Sequence, residues 1–132
     1  MVNKLVGIIL GVVYVVVGLL GFTVAGNGGF ASTDGGLLLG IFEINPLHNV
    51  VHIAVGALLL IGGLAGVRAA KGVNTLVGVV YLLVGVVGLF LLDSMLNILA
   101  LNSADNVLHL ASAVLLLIVG LAADRSSARV TA

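Results

Sequence analysis

The sequence predicts an all-α fold: a four-helix transmembrane bundle built from two tandem parallel two-helix repeats. Three observations predict it. Hydrophobic residues make up 61% of the 132 residues and charged residues 8%, against about 45–50% and about 25% in soluble domains. The apolar residues fall into four runs, each long enough to cross a bilayer. The first run also shares a motif with the third, and the second with the fourth.

The same composition excludes several function classes. A soluble chain of this length could not hide so much apolar surface, which argues against a soluble enzyme. Disorder is excluded on the same ground. Five Lys/Arg against five Asp/Glu leave no basic field, so no nucleic-acid partner is expected. With no cysteine there is no disulfide, iron–sulfur cluster or thiolate metal site.

The spans run roughly Leu5 to Ala25, Leu47 to Val67, Val73 to Leu92 and Ala104 to Ala123. About 20 residues at 1.5 Å each cross a hydrocarbon core of about 30 Å. A backbone in lipid must satisfy its own hydrogen bonds, so these spans are helices despite their many Val, Ile and Gly residues. Lys4 and Thr23-Val24-Ala25-Gly26 loosely imitate a signal peptide, but the apolar stretch is too long and has an internal copy in span three. It is read as a retained helix. Gly26–Gly36 reads as a flexible polar loop and Arg68–Gly72 as a short basic turn. Asp93–Ser103 is a mixed linker, and Ser126–Ala132 a frayed polar tail.

Spans one and three share Gly11-Val-Val-Tyr14 through Gly18 and Gly21 against Gly78-Val-Val-Tyr81 through Gly85 and Gly88, at an offset of 67. Asn45–Ala65 matches Asn102–Ala122 at 12 of 21 positions, at an offset of 57. The shared Asn, Asn-Val-x-His and Tyr do not depend on leucine content. The chain therefore reads as one membrane domain, 1–132, with repeats of about 5–67 and 73–123. Two spans per repeat make the copies parallel, related by a pseudo-twofold axis along the membrane normal. Leu38–Phe42 aligns with Met95–Leu99. Both are too short to span, and read equally well as interfacial or re-entrant pieces or as helix extensions.

Lys4, Arg68, Lys71, Arg125 and Arg129 all fall on one side of the spans. The positive-inside rule then puts both termini in the cytoplasm of a cell with the chain in its inner or plasma membrane. Asp34, Glu43, Asp93 and Asp105 fall on the outer side.

Gly11, Gly18 and Gly21 line one stripe of span one, and Gly78, Gly85 and Gly88 the same stripe of span three. Such stripes let membrane helices approach closely; a groove for a flat cofactor or lipid tail is the other reading. The hydroxyls of Tyr14 and Tyr81 need acceptors. Helix direction turns them away from the histidines, so a backbone carbonyl on a neighbouring helix is expected.

Three readings compete for the polar faces of spans two and four. In the leading, structural one, Asn45 and Asn102 cap the helices, with Pro46 at N1 and Asp105 at N3. Asn49, Asn106 and the histidines then bond across helices to loop carbonyls, with Ser112 in the same polar cluster. In the second, His48 with His52 and Asp105 with His109 are i,i+4 pairs that chelate zinc, iron, copper or nickel. In the third, His52 and His109 are axial ligands of a haem. In every case His52 and His109 are expected to face each other near the outer side.

The Asn45-Pro-Leu-His48-Asn49-Val-Val-His52 segment, Gly56, Gly78–Tyr81 and Asp105-Asn106-Val-Leu-His109 resemble an uncharacterised bacterial four-helix membrane family, classified as a domain of unknown function. The resemblance covers nearly the whole chain, and its Asn-x-x-His pairs are the most specific part. It implies a multi-pass membrane protein and no particular activity or cofactor.

The sequence contains no catalytic triad, P-loop or dinucleotide fingerprint, and no charged residue at mid-membrane. The function expected is a non-enzymatic structural or accessory membrane subunit. Its partner is the lipid bilayer, with a membrane-protein partner or a second copy in reach of its Gly-rich or apolar faces. No cofactor is assigned. The alternative is a metal- or haem-binding membrane redox or transport component.

Overall fold

The computed structural model describes residues 1–124. It is a bundle of four apolar helices: α1 (Val2–Gly21), α2 (Pro46–Ala65), α3 (Val67–Leu91) and α4 (Ser103–Ala122). All four are long and apolar enough to cross a membrane. α1 pairs closely with α2, and α3 with α4. Leu59, Ala113, Leu116 and Val77 pack with Tyr14 and Tyr81 at the centre. The large apolar side chains on the outer faces, such as Ile9, Leu19, Ile61, Leu83 and Ile118, stay exposed, as the lipid-facing side of a bundle does.

Glycine explains the close pairing. A Cβ at Gly11 would lie 2.6 Å from the Leu60 nitrogen, and one at Gly18 2.7 Å from the Asn49 carbonyl oxygen. The α3 glycines meet aligned partners: Gly78 meets Leu117, and Gly85 meets Leu110. Gly21 abuts the Asn49 amide and Gly88 the Asn106 amide. The stripes are thus packed against neighbouring helices.

Three element boundaries differ from the sequence reading. α1 begins at Val2 and ends at Gly21, where Thr23 folds its hydroxyl back onto the Leu20 carbonyl at 2.7 Å. Arg68–Gly72 is helix rather than turn. Gly66 alone reverses the chain, with φ 135° serving both as the end of α2 and the start of α3. Only glycine reaches that conformation without strain.

The outer segments before α2 and α4 also differ from expectation, and from each other. The first is a hairpin of β1 (Gly36–Leu38) and β2 (Phe42–Ile44), antiparallel, with Leu37 opposite Glu43. Leu39 and Gly40 both have positive φ, and Ile41 N–H donates to the Leu38 carbonyl at 3.1 Å, a type I′ geometry. In the second half Asn97 stands where the first has Gly40, and a series of turns replaces the hairpin. The Asn97 side chain organises them, accepting from Leu101 N–H at 2.8 Å and donating to the Leu101 carbonyl at 2.9 Å. The Gly26–Gly36 loop is tied down rather than free. Leu47 N–H donates to the Phe30 carbonyl, and Asn45 Nδ2 to the Ser32 carbonyl.

At the opposite end lie Lys4, Arg68 and Lys71. Arg125, Arg129 and the Ser126–Ala132 tail lie outside the described residues. Here Asp124 reaches the first turn of α1. It accepts from the main-chain N–H of Val2 at 3.1 Å and of Asn3 at 2.8 Å, and pairs with the N-terminal amine. A carboxylate at a helix N-terminus meets otherwise unpaired donors. Asn74 on α3 donates to Asn3 Oδ1 and to the Asn3 carbonyl, both at 3.0 Å.

Candidate metal centre

The first turns of α2 and α4 position the candidate site, and both are capped by asparagine. Asn45 accepts from His48 N–H at 2.8 Å, with Pro46 following. Asn102 accepts from Asp105 N–H at 3.0 Å, and the Asp105 carboxylate accepts from Asn102 N–H at 3.0 Å, a complete capping box. Each cap has a free amide to spare. Asn45 Nδ2 donates to the Ile98 carbonyl at 2.7 Å, and Asn102 Nδ2 to the Ile41 carbonyl at 2.8 Å. Each half thus grips the other half's outer segment, and the two helix starts are held side by side.

That grip brings three imidazoles together. His48, His52 and His109 are buried, each 3% exposed or less. One ring nitrogen from each lies within 4.8 Å of the others. His48 Nε2 and His52 Nε2 approach to 2.9 Å, so one of them carries the proton that the other accepts. The rings of His52 and His109 stack with centroids 6.1 Å apart and planes 24° from parallel. Tyr14 packs on His52 at 5.4 Å, Tyr81 on His109 at 5.1 Å, and the two tyrosines meet edge-on at 5.4 Å. The cluster is therefore floored by two aromatic rings at aligned positions.

The polar groups around it do not form the expected network. The Nδ1 atoms of His48, His52 and His109 have no hydrogen-bond partner among the described residues, and neither do the amides of Asn49 and Asn106. The caps Asn45 and Asn102 reach the loop carbonyls of Ser32, Ile98 and Ile41. Asn49 and Asn106 lie instead against Gly21 and Gly88, too close for any side chain at those two positions. The Tyr14 hydroxyl donates to Ser112 Oγ on α4, a side-chain acceptor in place of the expected carbonyl, and the Tyr81 hydroxyl has no partner among the described residues.

Asp105 stands apart from the three converging histidines, with one carboxylate oxygen committed to its cap. It and His52 share the wall of a cavity of about 200 Å³ under the β1–β2 hairpin, together with Tyr14, Val17, Phe42 and Leu108. A second cavity of about 470 Å³ lies between α2, α3 and the Leu96–Leu101 turns. Sequence reasoning missed the Asp124–Asn3–Asn74 contact; the only signal was an asparagine inside the third apolar span.

No curated protein and no solved structure matches the chain. One family model does match, over residues 4–122, which takes in all four helices. The chain belongs to that family, the domain of unknown function DUF4383.

Proposed function

We propose that this multi-pass membrane protein binds one transition-metal ion through His48, His52 and His109. The observation that carries the reading is the convergence of three buried imidazoles, one ring nitrogen of each lying within 4.8 Å of the others. A four-coordinate zinc with bonds of about 2.0–2.1 Å holds its nitrogens about 3.3 Å apart. The nitrogens here span that value, from 2.9 Å to at most 4.8 Å, so small side-chain rotations suffice. A nitrogen donor set suits zinc, copper, nickel or iron rather than magnesium or calcium.

Haem is the poorer reading. The His48 ring lies 4.6 Å from that of His52 and 5.8 Å from that of His109, where it occupies space that a macrocycle between the two would need. Metal analysis and an absorption spectrum of purified protein separate the two readings. Near-stoichiometric metal without a Soret band supports the proposal, and a Soret band overturns it.

A second reading, a structural or accessory membrane subunit, draws support from the reciprocal Asn45–Ile98 and Asn102–Ile41 bonds, which join the two halves without any ion. In both readings we take the halves to be copies of one two-helix unit. We also take the chain to lie in the cell membrane with its termini in the cytoplasm, as Lys4, Arg68 and Lys71 favour.

A further inference from the structure

The two outer cavities lie at aligned places in the two halves. Val17 and Leu108 line the smaller one, and their aligned residues Val84 and Val51 line the larger. The larger is a cleft between α2 and α3. Near Gly66 the two helices touch, and a Cβ at Gly62 would lie 2.8 Å from Val73 Cγ2. Toward their other ends they part, and Leu47 and Val51 on α2 face Leu83, Val87 and Leu91 on α3 across about 470 Å³. Leu83 and Val87 are exposed at its rim, so the cleft opens toward lipid. The Leu96–Leu101 turns roof it, held by Asn97 from within and by Asn45 Nδ2 on the Ile98 carbonyl.

Both amide atoms of Asn97 are committed to the Leu101 main chain, so the lining side chains offer an occupant no free hydrogen-bonding group. The part of a ligand buried here is therefore hydrocarbon. An apolar cavity of about 150 Å³ holds benzene, so about 470 Å³ holds roughly eighteen carbons, the size of one lipid chain. Hydrocarbon contact alone gives no preference among lipids, because a lipid tail is as apolar as leucine. The headgroup supplies it. Asp93 stands two residues past Leu91, at the end of α3, where the last carbonyls carry the negative end of the helix dipole. An acid is unfavourable there. No basic residue lies in the last turn, and the Asp93 carboxylate has no ion-pair partner among the described residues. Lys4, Arg68 and Lys71 are all at the opposite end of the bundle. A cationic group beside Asp93 offsets this negative field, and an anionic one adds to it.

We propose that the α2–α3 cleft holds one acyl chain of a zwitterionic phospholipid whose ammonium headgroup lies at Asp93. The proposal is independent of the metal reading above.

The protein is reconstituted in nanodiscs of equimolar phosphatidylethanolamine and phosphatidylglycerol with the same acyl chains, and the lipid it retains on release is counted by native mass spectrometry. The expected result is one lipid per chain, with phosphatidylethanolamine favoured roughly fivefold or more. Asp93→Asn should keep the lipid and lose the preference. Val84→Trp, which fills the cleft, should release the lipid, and Val17→Trp, at the aligned place in the smaller cavity, should not. Should Val84→Trp fail to fold, Val51→Phe narrows the same cleft from α2 and decides the matter. Asp93 lies in a turn outside the helices, so Asp93→Asn tests the headgroup without disturbing the bundle. Retention of no lipid, retention without headgroup preference, a preference that survives Asp93→Asn, or retention that survives the cleft-filling variant overturns the proposal.

Discussion

The Asn45 side chain donates to the main-chain carbonyl of Ile98 at 2.7 Å, and this bond has a counterpart. Asn102 donates to the carbonyl of Ile41 at 2.8 Å. Asn45 and Asn102 are 57 positions apart, and so are Ile41 and Ile98. One contact is made twice, with the halves exchanged. It ties the starts of α2 and α4 together, and the histidines one to two turns further in converge as a result.

Asn45→Ala should remove both the cap on His48 N–H and the bond to Ile98. The expected loss is roughly 1–2 kcal/mol, from about 1 for a helix cap and about 0.6 for an interhelical polar contact in a membrane. Asn45→Ser keeps an oxygen for the cap and should recover about half of it. Unfolding in mixed micelles measures this. Full recovery by Asn45→Ser would mean that the cross-half bond contributes nothing.

Much of this arrangement was legible in the sequence. Asn45-Pro46 and Asn102 with Asp105 announced their caps, because capping is decided within four residues. The i,i+4 spacing of His48 and His52 fixed their common face. The spare amides of the caps were not legible, since their acceptors lie 53 and 61 residues away. Neither was the hairpin. The aligned segments differ by Gly40 against Asn97, and the positive φ at residue 40 is open to glycine at no strain. The paired cavities depend on these outer segments and were equally out of reach.

Gly21→Ala and Gly88→Ala each drive a methyl group into the amide of Asn49 or Asn106. Overpacking of this kind costs about 1–3 kcal/mol. Gly72→Ala, in the same helix as Gly88 but with open space around it, should be neutral or stabilising by up to about 1 kcal/mol. A thermal unfolding series on the three variants checks the contrast. Similar behaviour for all three would contradict close packing at Gly21 and Gly88.

Asp124 lies beyond α4, and its carboxyl is held below the ordinary carboxylate value of 3.8 by the N-terminal amine and by the main-chain N–H groups of Asn3 and Val2. Its contribution is fully present above that ordinary value and is lost as pH falls through the lower, folded-state value. Wild type should therefore lose stability on acidification below about pH 4 more steeply than Asp124→Asn. Unfolding midpoints measured from pH 6 to pH 2 give the comparison, and parallel curves would remove Asp124 from the account.

Membrane orientation has its own test. A reporter active only outside the cytoplasm should work when inserted near Gly28 and stay silent when fused after Ala132. The reverse pattern would place the histidine cluster on the cytoplasmic side.

The most direct measurement is a cobalt(II) titration of the purified protein beside His48→Gln, His52→Gln and His109→Gln. The account predicts one ion per chain for wild type and at least a roughly hundredfold weaker affinity in each variant, since each removes one of three ligand nitrogens. Each variant should remain folded, its loss of stability in the absence of metal being on the order of 1 kcal/mol. Wild type that binds no more cobalt than the three folded variants would contradict the metal centre and leave the histidines with a structural role alone.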